Sequence, residues 1–405
     1  MVILGKWADR SITISAKPNC LTLSLGGAPQ AEVLSSDNTG RIWTAMLEGV
    51  SYRRGLNGRV VAKWIDAYGE RQRRWLSPEE CTRFENRIYR RTNQVLDALQ
   101  RGEIHLETPL PAGGQAQLAQ AASFDAGRSQ QDVATYHQVY RPIGILPPDQ
   151  YMAVVLQLTE GCSFNTCTFC NFYRERKFRI KPPAEFQRHT HEVEQFLGAG
   201  LSLRRTLFLG DANALVVPMP RLVPAFEIVH KTYDVEALGG IYAFLDGFSG
   251  ERKSVEDYRT LVAMGLKRVY IGMESGSANL LSLLRKPGKP SDVIETVNAI
   301  KAAGGSVGLI LLLGAGGHQY ARAHVDDSVR AINHMDLDLD DIVYFSELIE
   351  SEGLEYTQLA YQEHLDPLTP AERIAQGTEM EAGFAFSAQR GEPHVSRYDI
   401  REFVY

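Results

Sequence analysis

Met152-Ala-Val-Val-Leu-Gln-Leu-Thr-Glu-Gly161-Cys162-Ser-Phe-Asn-Thr-Cys167-Thr-Phe-Cys170 decides how the rest of the chain is read. Met152–Leu158 is an apolar run of strand length. The cysteines follow at once, at the C-terminal strand end, where a parallel α/β sheet presents its chemistry. Of five cysteines, Cys162, Cys167 and Cys170 fall within nine residues, while Cys20 and Cys81 stand alone. Thiols clustered this way in a reducing compartment hold metal or do redox work rather than cross-link the chain. Three thiolates leave a structural zinc site one ligand short, which His189 or His191 would complete. An iron–sulfur cluster held by three thiolates keeps one iron open. Both readings stand on the residues alone.

Working outward, the strand–helix alternation continues. Thr206–Leu209, Gly240–Leu245, Arg268–Met273, Ser306–Leu313 and Asp341–Phe345 read as further strands. Amphipathic helices lie between them, the clearest being Asp292–Ala303 with Val293, Ile294, Val297 and Ile300 on one face. Strands apolar on both faces, such as Val307-Gly-Leu-Ile-Leu-Leu-Leu, belong in a covered parallel sheet. Six such strands with helical crossovers predict an open or barrel-like α/β sheet with its ligand site at the C-terminal strand ends.

The stretch Gly161-Cys-Ser-Phe-Asn-Thr-Cys-Thr-Phe-Cys-Asn-Phe-Tyr-Arg resembles the cysteine loop of radical S-adenosylmethionine (SAM) enzymes, with four and then two residues between cysteines in place of the usual three and two. The branch it resembles is related to the Elp3-, MiaB- and NifB-like proteins. The resemblance implies a partial (β/α)6 barrel over residues 141–350, a [4Fe-4S] cluster on Cys162, Cys167 and Cys170, and SAM chelating the fourth iron. Reductive cleavage of SAM to a 5′-deoxyadenosyl radical and abstraction of a substrate hydrogen would follow. Carried over position by position, Phe169 would pack on the adenine. Gly210-Asp211-Ala-Asn213 would stand where the family's Gly-Gly-Glu receives the SAM amino group. Glu274 and Ser275 would contact the methionine and ribose portions, and Gly314 would let the backbone approach the adenine. A low-potential electron donor of flavodoxin or ferredoxin type and a small-molecule substrate are the implied partners.

The flanks are read from pattern. Residues 1–106 form an α+β module: short alternating strands, then a helix opened by a Ser77-Pro78-Glu79-Glu80 capping box and ending before Gly102. Residues 107–140, rich in Ala, Gln, Gly and Ser without periodicity, read as a linker, and 351–405 as a short C-terminal extension. The chain carries a net charge of −6, yet residues 51–101 hold twelve Arg and Lys against six acids. Interleaved Trp64, Tyr68, Trp75, Phe84 and Tyr89 keep an RNA-docking face, and with it tRNA modification, as an alternative to an ordinary solvated helix face, which is preferred. A zinc-stabilised binding module without catalysis is the non-enzymatic alternative. Gly314-Ala-Gly316-Gly317-His-Gln319 lacks the last small residue of a dinucleotide fingerprint, and Asp336–Asp341 lacks the glycine and closing glutamate of a calcium loop. No cysteine follows Cys170, so ligands for additional clusters are missing from that side. No apolar run reaches the roughly 20 residues of a membrane span, and the N-terminus has no signal-like layout, making the cytoplasm the expected compartment. Tyr242, Asp246, Tyr270, Tyr344 and Glu347 are expected to face the barrel interior, with no catalytic role assigned.

Overall fold

Alternation at the start of the chain becomes an antiparallel meander in the computed structural model, which describes residues 1–27, 31–247, 252–350 and 353–405. Eight strands pair in sequence order: β1 (Val2–Trp7), β2 (Arg10–Lys17), β3 (Cys20–Leu25), β4 (Glu32–Asp37), β5 (Ile42–Leu47), β6 (Val50–Arg54), β7 (Val60–Ile65) and β8 (Arg71–Trp75). After α1 (Pro78–Gln100), β9 (Ile104–Leu106) returns to pair with β1. Register lines up Ile3, Ile14, Leu23, Leu34 and Ala45 as one apolar row across five strands. Phe84, Ile88 and Val95 of α1 pack into the same core. The capping box read from sequence is present: Ser77 accepts from Glu80 N and Glu80 accepts from Ser77 N.

The expected linker is instead two helices, α2 (Ala112–Ala122) and α3 (Ala126–Val139), and Leu118 and Ala121 join that core. The small residues that suggested a linker are there because α2 approaches closely. A Cβ on Gly114 would stand 3.2 Å from Ala16 Cβ and 2.7 Å from Leu110 Cδ1. A helix pressed on a neighbour through Gly and Ala shows no large-residue periodicity, so the pattern test fails there.

Met1–Ile143, Glu192–Arg205 and Glu402–Tyr405 form one compact unit; Gly144–His191 and Thr206–Arg401 form the other. The second unit begins its sheet with β10 (Ala153–Gln157). A two-residue ribbon follows, β11 (Thr159–Glu160) against β12 (Arg179–Ile180), and then α4 (Pro183–Leu197). The sheet continues as β13 (Thr206–Gly210), α5 (Met219–Thr232), β14 (Ile241–Phe244), α6 (Val255–Ala263) and β15 (Leu266–Glu274). It then runs through α7 (Ala278–Leu283), α8 (Pro290–Ala302), β16 (Ser306–Leu313), α9 (Gly317–Ile332) and β17 (Ile342–Glu347). These are the six strands read from sequence, all parallel and in chain order, as in a partial (β/α)6 barrel. The C-terminal extension, described from Gly353 onward, does more than trail: after α10 (Glu355–Gln362) and α11 (Pro370–Gly383) it adds a seventh parallel strand, β18 (His394–Tyr398), beside β17.

The interior is filled in layers. Phe208, Phe244 and Tyr270 meet with ring centroids 5.1–6.1 Å apart. Asp149, just before β10, gathers the hydroxyls of Tyr270 and of Tyr344 (2.8 Å) and the Arg268 guanidinium (3.0 Å). Tyr270 and Tyr344 are therefore interior, as expected, with their hydroxyls tied at the end of the sheet opposite the cysteines. The Tyr242 hydroxyl turns back to Gly239 O (3.3 Å).

Candidate active site

The ribbon β11/β12 brackets the cysteine loop, and charge pins it. Arg179 and Lys181 reach Glu160 at 2.7 and 3.1 Å, and Arg179 also binds Glu185 at 2.6 Å. Burial pushes the Glu160 carboxyl up, but the two cations outweigh it and hold it at about 2. Further along, Thr168 N–H donates to Leu284 O (3.0 Å), Tyr356 N–H donates to Thr168 O (2.9 Å), and Arg174 donates to Cys167 O (2.8 Å). The loop's path is thus fixed from within by Arg174 and from outside by the end of α7 and the start of α10.

Cys162, Cys167 and Cys170 are free thiols that line one cavity of about 200 Å³ at the C-terminal strand ends. Burial pushes the Cys167 thiol up to about 11 and raises Cys170 as well, so without a bound cation these stay protonated. Among the described residues no group of three or more His, Cys, Asp or Glu side chains is arranged to hold a single metal ion. The three thiols share a wall, and a wall with three sulfur donors fits a four-iron cluster with one iron left to an outside ligand. His189, the proposed completing ligand for zinc, accepts a hydrogen bond from Gln157 N–H at 2.9 Å through Nε2 and is buried there.

Three of the residues carried over by resemblance stand on the cavity wall, with Asp246 and Lys286 beside them. Phe169 lines it and packs against the apolar cluster that includes Leu280, Leu312 and Tyr356. Asn213 lines it and donates to Ser163 Oγ (2.8 Å) and Asp246 Oδ2 (2.6 Å), and Asp246 lines it too. Glu274, with φ +60°, closes β15 and pairs with Lys286 at 3.1 Å. Both of these line the cavity, over Gly272, where a Cβ would stand 2.5 Å from Glu274 Oε1. Burial opposes the charge on Lys286, yet Glu274 and Cys167 raise its pKa above the ordinary lysine value.

The other four are placed elsewhere. Gly210 ends β13 beneath Asp211, whose carboxylate is taken up by the loop itself. Ser275 is fully buried and turned to His324 Nδ1 (2.8 Å). Gly314 N–H donates to Gln376 Oε1 (2.9 Å), and a Cβ there would meet Arg373 Cδ at 2.8 Å; on β16 the cavity wall is Ile310 and Leu312. Sequence reasoning missed Lys286, a lone lysine after α7, and Tyr398 and Ile400, which β18 brings to the wall beside Ser346 and Glu347. Only the continuity of the sheet reveals those two; Lys286 carries no local signal.

Two weaker readings are also resolved locally. The N-terminus of α9 receives its own chain: Gly316 N–H donates to Tyr356 Oη (2.8 Å) and His318 N–H to Asp366 O (2.8 Å). Asp338 and Asp341 both hold Lys301 at 2.8 Å. In the basic N-terminal stretch, Arg54 pairs with Glu85, Arg74 with Glu80, and Arg91 with Glu32, at 2.6–2.7 Å. Arg59 lies over the Trp75 ring at 3.9 Å. The first three of these arginines pair between the sheet and α1, and the fourth with Trp75, inside the N-terminal unit. No helix among the described residues is long and apolar enough to cross a membrane.

Against known proteins, residues 156–332 match the model of the Radical SAM superfamily. No curated protein matches the chain. Among solved structures, the cobalamin-dependent S-adenosylmethionine radical enzyme OxsB with aqua-cobalamin bound is 13% identical over 82% of this chain and 43% of its own length, with a TM-score of 0.38. The chain thus spans less than half the length of that protein. Coproporphyrinogen III oxidase HemN from Escherichia coli is 15% identical over 62% of this chain and 54% of its own, with a TM-score of 0.39. SuiB from Streptococcus suis is 11% identical over 87% and 72%, with a TM-score of 0.37. The family match runs from inside β10, through the cysteine loop, to the last residue of α9, so this chain carries a domain that matches the radical SAM superfamily of enzymes, whose cofactors are a [4Fe-4S] cluster and S-adenosylmethionine.

Proposed function

We propose that this chain reductively cleaves SAM and abstracts a hydrogen atom from a small organic substrate bound at the C-terminal ends of the strands. The observation that carries this reading is the three-thiol wall of a cavity that also presents Glu274 and Lys286. Cys162, Cys167 and Cys170 would hold the cluster. When bound, it supplies the electron that cleaves SAM and releases the 5′-deoxyadenosyl radical.

The chain's own residues bind, orient and exclude water. Lys286 keeps its proton on Nζ beside Glu274, giving a fixed charge pair within reach of a zwitterionic ligand. Asn213 holds Asp246 in place. Phe169 offers a flat face for a purine, and Phe172, Tyr173, Leu348 and Ile349 supply the apolar lining that keeps water from a reactive carbon radical. The electron would come from a flavodoxin- or ferredoxin-type donor. Whether the outcome is oxidation, rearrangement or group transfer depends on the substrate.

Anaerobic purification tests this directly. About four irons and four sulfides per chain, broad absorbance near ~400 nm, and 5′-deoxyadenosine on reduction with SAM are expected. A colourless protein holding one zinc and no sulfide would overturn it.

A further inference from the structure

The residue aligned with the family's amino-group acceptor has been put to another use. Asp211 is 4% exposed, and both its oxygens are engaged by the polypeptide. Oδ1 accepts from Gln157 Nε2 at 2.7 Å; Oδ2 accepts from Gly161 N–H at 2.9 Å and from Arg176 Nη1 at 3.2 Å. Its own N–H donates to Thr159, to O at 3.1 Å and to Oγ1 at 3.0 Å. Gly161 immediately precedes Cys162, and Arg176 lies six residues beyond Cys170. One buried carboxylate therefore joins the last residue of β10, the residue entering the cysteine segment and a residue leaving it. On the same strand end, Ala212 and Asn213 form the cavity wall.

We infer that Asp211 is a positioning residue that clamps the two ends of the cysteine loop through Gly161 and Arg176, and that it does not receive the ammonium group of SAM. The inference rests on the proposed cluster site. Closing a segment of this length by one carboxylate restricts where Cys162 can stand relative to Cys167 and Cys170. That restraint matters in a loop with one residue more than usual between the first two cysteines. Three of the carboxylate's roughly four lone-pair sites are taken by the chain, and Asp211 is 4% exposed and absent from the cavity wall, so a ligand in the cavity meets its neighbours Ala212 and Asn213 instead. Asn213 and Asp246, which face the cavity, are the polar groups at this edge that a ligand meets.

The test compares Asp211→Asn and Arg176→Met with the wild-type holoprotein. Asn at 211 keeps an acceptor for Gln157 but turns an N–H₂ toward Gly161 N–H and the Arg176 guanidinium, so the clamp opens. Losing a charge-assisted bond is expected to speed cluster loss to a ferrous chelator by about tenfold or more in each variant. Because both substitutions break one device, the double variant should lose iron no faster than the faster single variant. SAM affinity, measured on the fraction still carrying a full cluster, should stay within about threefold of wild type. The opposite pattern, wild-type cluster lifetime with SAM bound about tenfold more weakly in Asp211→Asn, overturns the inference. Should Asp211→Asn fail to fold, Arg176→Met decides alone, and a wild-type cluster lifetime in it is equally fatal. If the wild-type chain assembles no cluster, the proposed function fails separately. The clamp is then read from the rate of Cys162 alkylation by iodoacetamide in the cluster-free chain, faster in both variants if the clamp exists and unchanged if it does not.

Discussion

Acidification should loosen the barrel through one histidine. His324, on α9, is fully buried, and its Nε2 lies 3.1 Å from Leu312 O. A carbonyl can only accept, so Nε2 carries the proton and Nδ1 is the acceptor. Ser275 Oγ donates to Nδ1 at 2.8 Å while accepting from Ser277 N–H at 3.0 Å. Ser328 Oγ, 3.2 Å from the same nitrogen, accepts from Gly276 N–H at 2.8 Å. A neutral imidazole satisfies this arrangement, and a second ring proton would have to displace the serine hydrogen. Burial pulls the pKa from 6.5 down to about 4, against a smaller upward push from the Leu312 carbonyl. With the folded value below the unfolded one, the unfolded chain takes up the proton first as pH falls. The neutral histidine's contribution is complete above pH 6.5 and is lost progressively down to about pH 4. At about 1.4 kcal/mol per pH unit the loss is on the order of 3 kcal/mol. His324→Asn cannot titrate there, so the assay is the difference between wild type and this variant in the opening free energy of β16 amides, from hydrogen exchange between pH 7 and 4.5. Trp7, Trp43, Trp64 and Trp75 all lie in the N-terminal unit, so tryptophan fluorescence supplies an internal control that the substitution should leave alone. Parallel pH curves for wild type and variant in β16 would refute the argument.

Lys286→Met leaves the Glu274 carboxylate buried without its cation and should cost about 3–5 kcal/mol in urea unfolding of the barrel, with much of it recovered in the Lys286→Met, Glu274→Gln double variant. Tyr344→Phe removes one of the donors on Asp149 and should lower barrel stability by about 1–2 kcal/mol, read as a thermal shift, while iron loading is unchanged because the bond lies at the far strand end. Gly276→Ala would place a Cβ 2.2 Å from the Asp327 backbone oxygen, which cannot give way, so soluble folded barrel should be lost. Gly272→Ala meets only the ends of the Glu274 and Lys286 side chains, at 2.5 and 3.1 Å, and should fold, which circular dichroism will show.

The parallel sheet was legible because its strands are apolar on both faces and its helices carry caps. The six strand spans read from sequence match β10 and β13 to β17 within about two residues at either end. Helix α11 begins at Pro370 behind a capping box of Thr369 and Glu372, the same local chemistry that marks the start of α1 at Ser77 and Glu80. Legibility stopped where tertiary contact replaces local pattern. Helix α2 packs through Gly and Ala and shows no stripe, and β18 is a five-residue edge strand half-exposed on both faces, with nothing but its pairing to β17 to mark it. At the site, the cysteines announced themselves by spacing. The use of Asp211 could not be read from spacing, because its partners, Gln157, Gly161 and Arg176, lie at least 35 residues away in sequence.

The two ends of the barrel divide the work, and this explains why interior polar residues of the same type have different fates. At the N-terminal end of the strands, Asp149 gathers Tyr270, Tyr344 and Arg268 in a shared set of bonds, which ties β15 and β17 to the residues just before β10. At the C-terminal end, Asn213, Asp246, Glu274 and Lys286 are paired with one another yet still line open space. Alternate residues of a strand point the same way, so Tyr344 and Ser346 both face inward from β17, two residues apart. The first meets Asp149 and the second lines the cavity with Tyr398. Position along the strand, rather than residue type, decides which polar group stabilises the barrel and which meets a ligand.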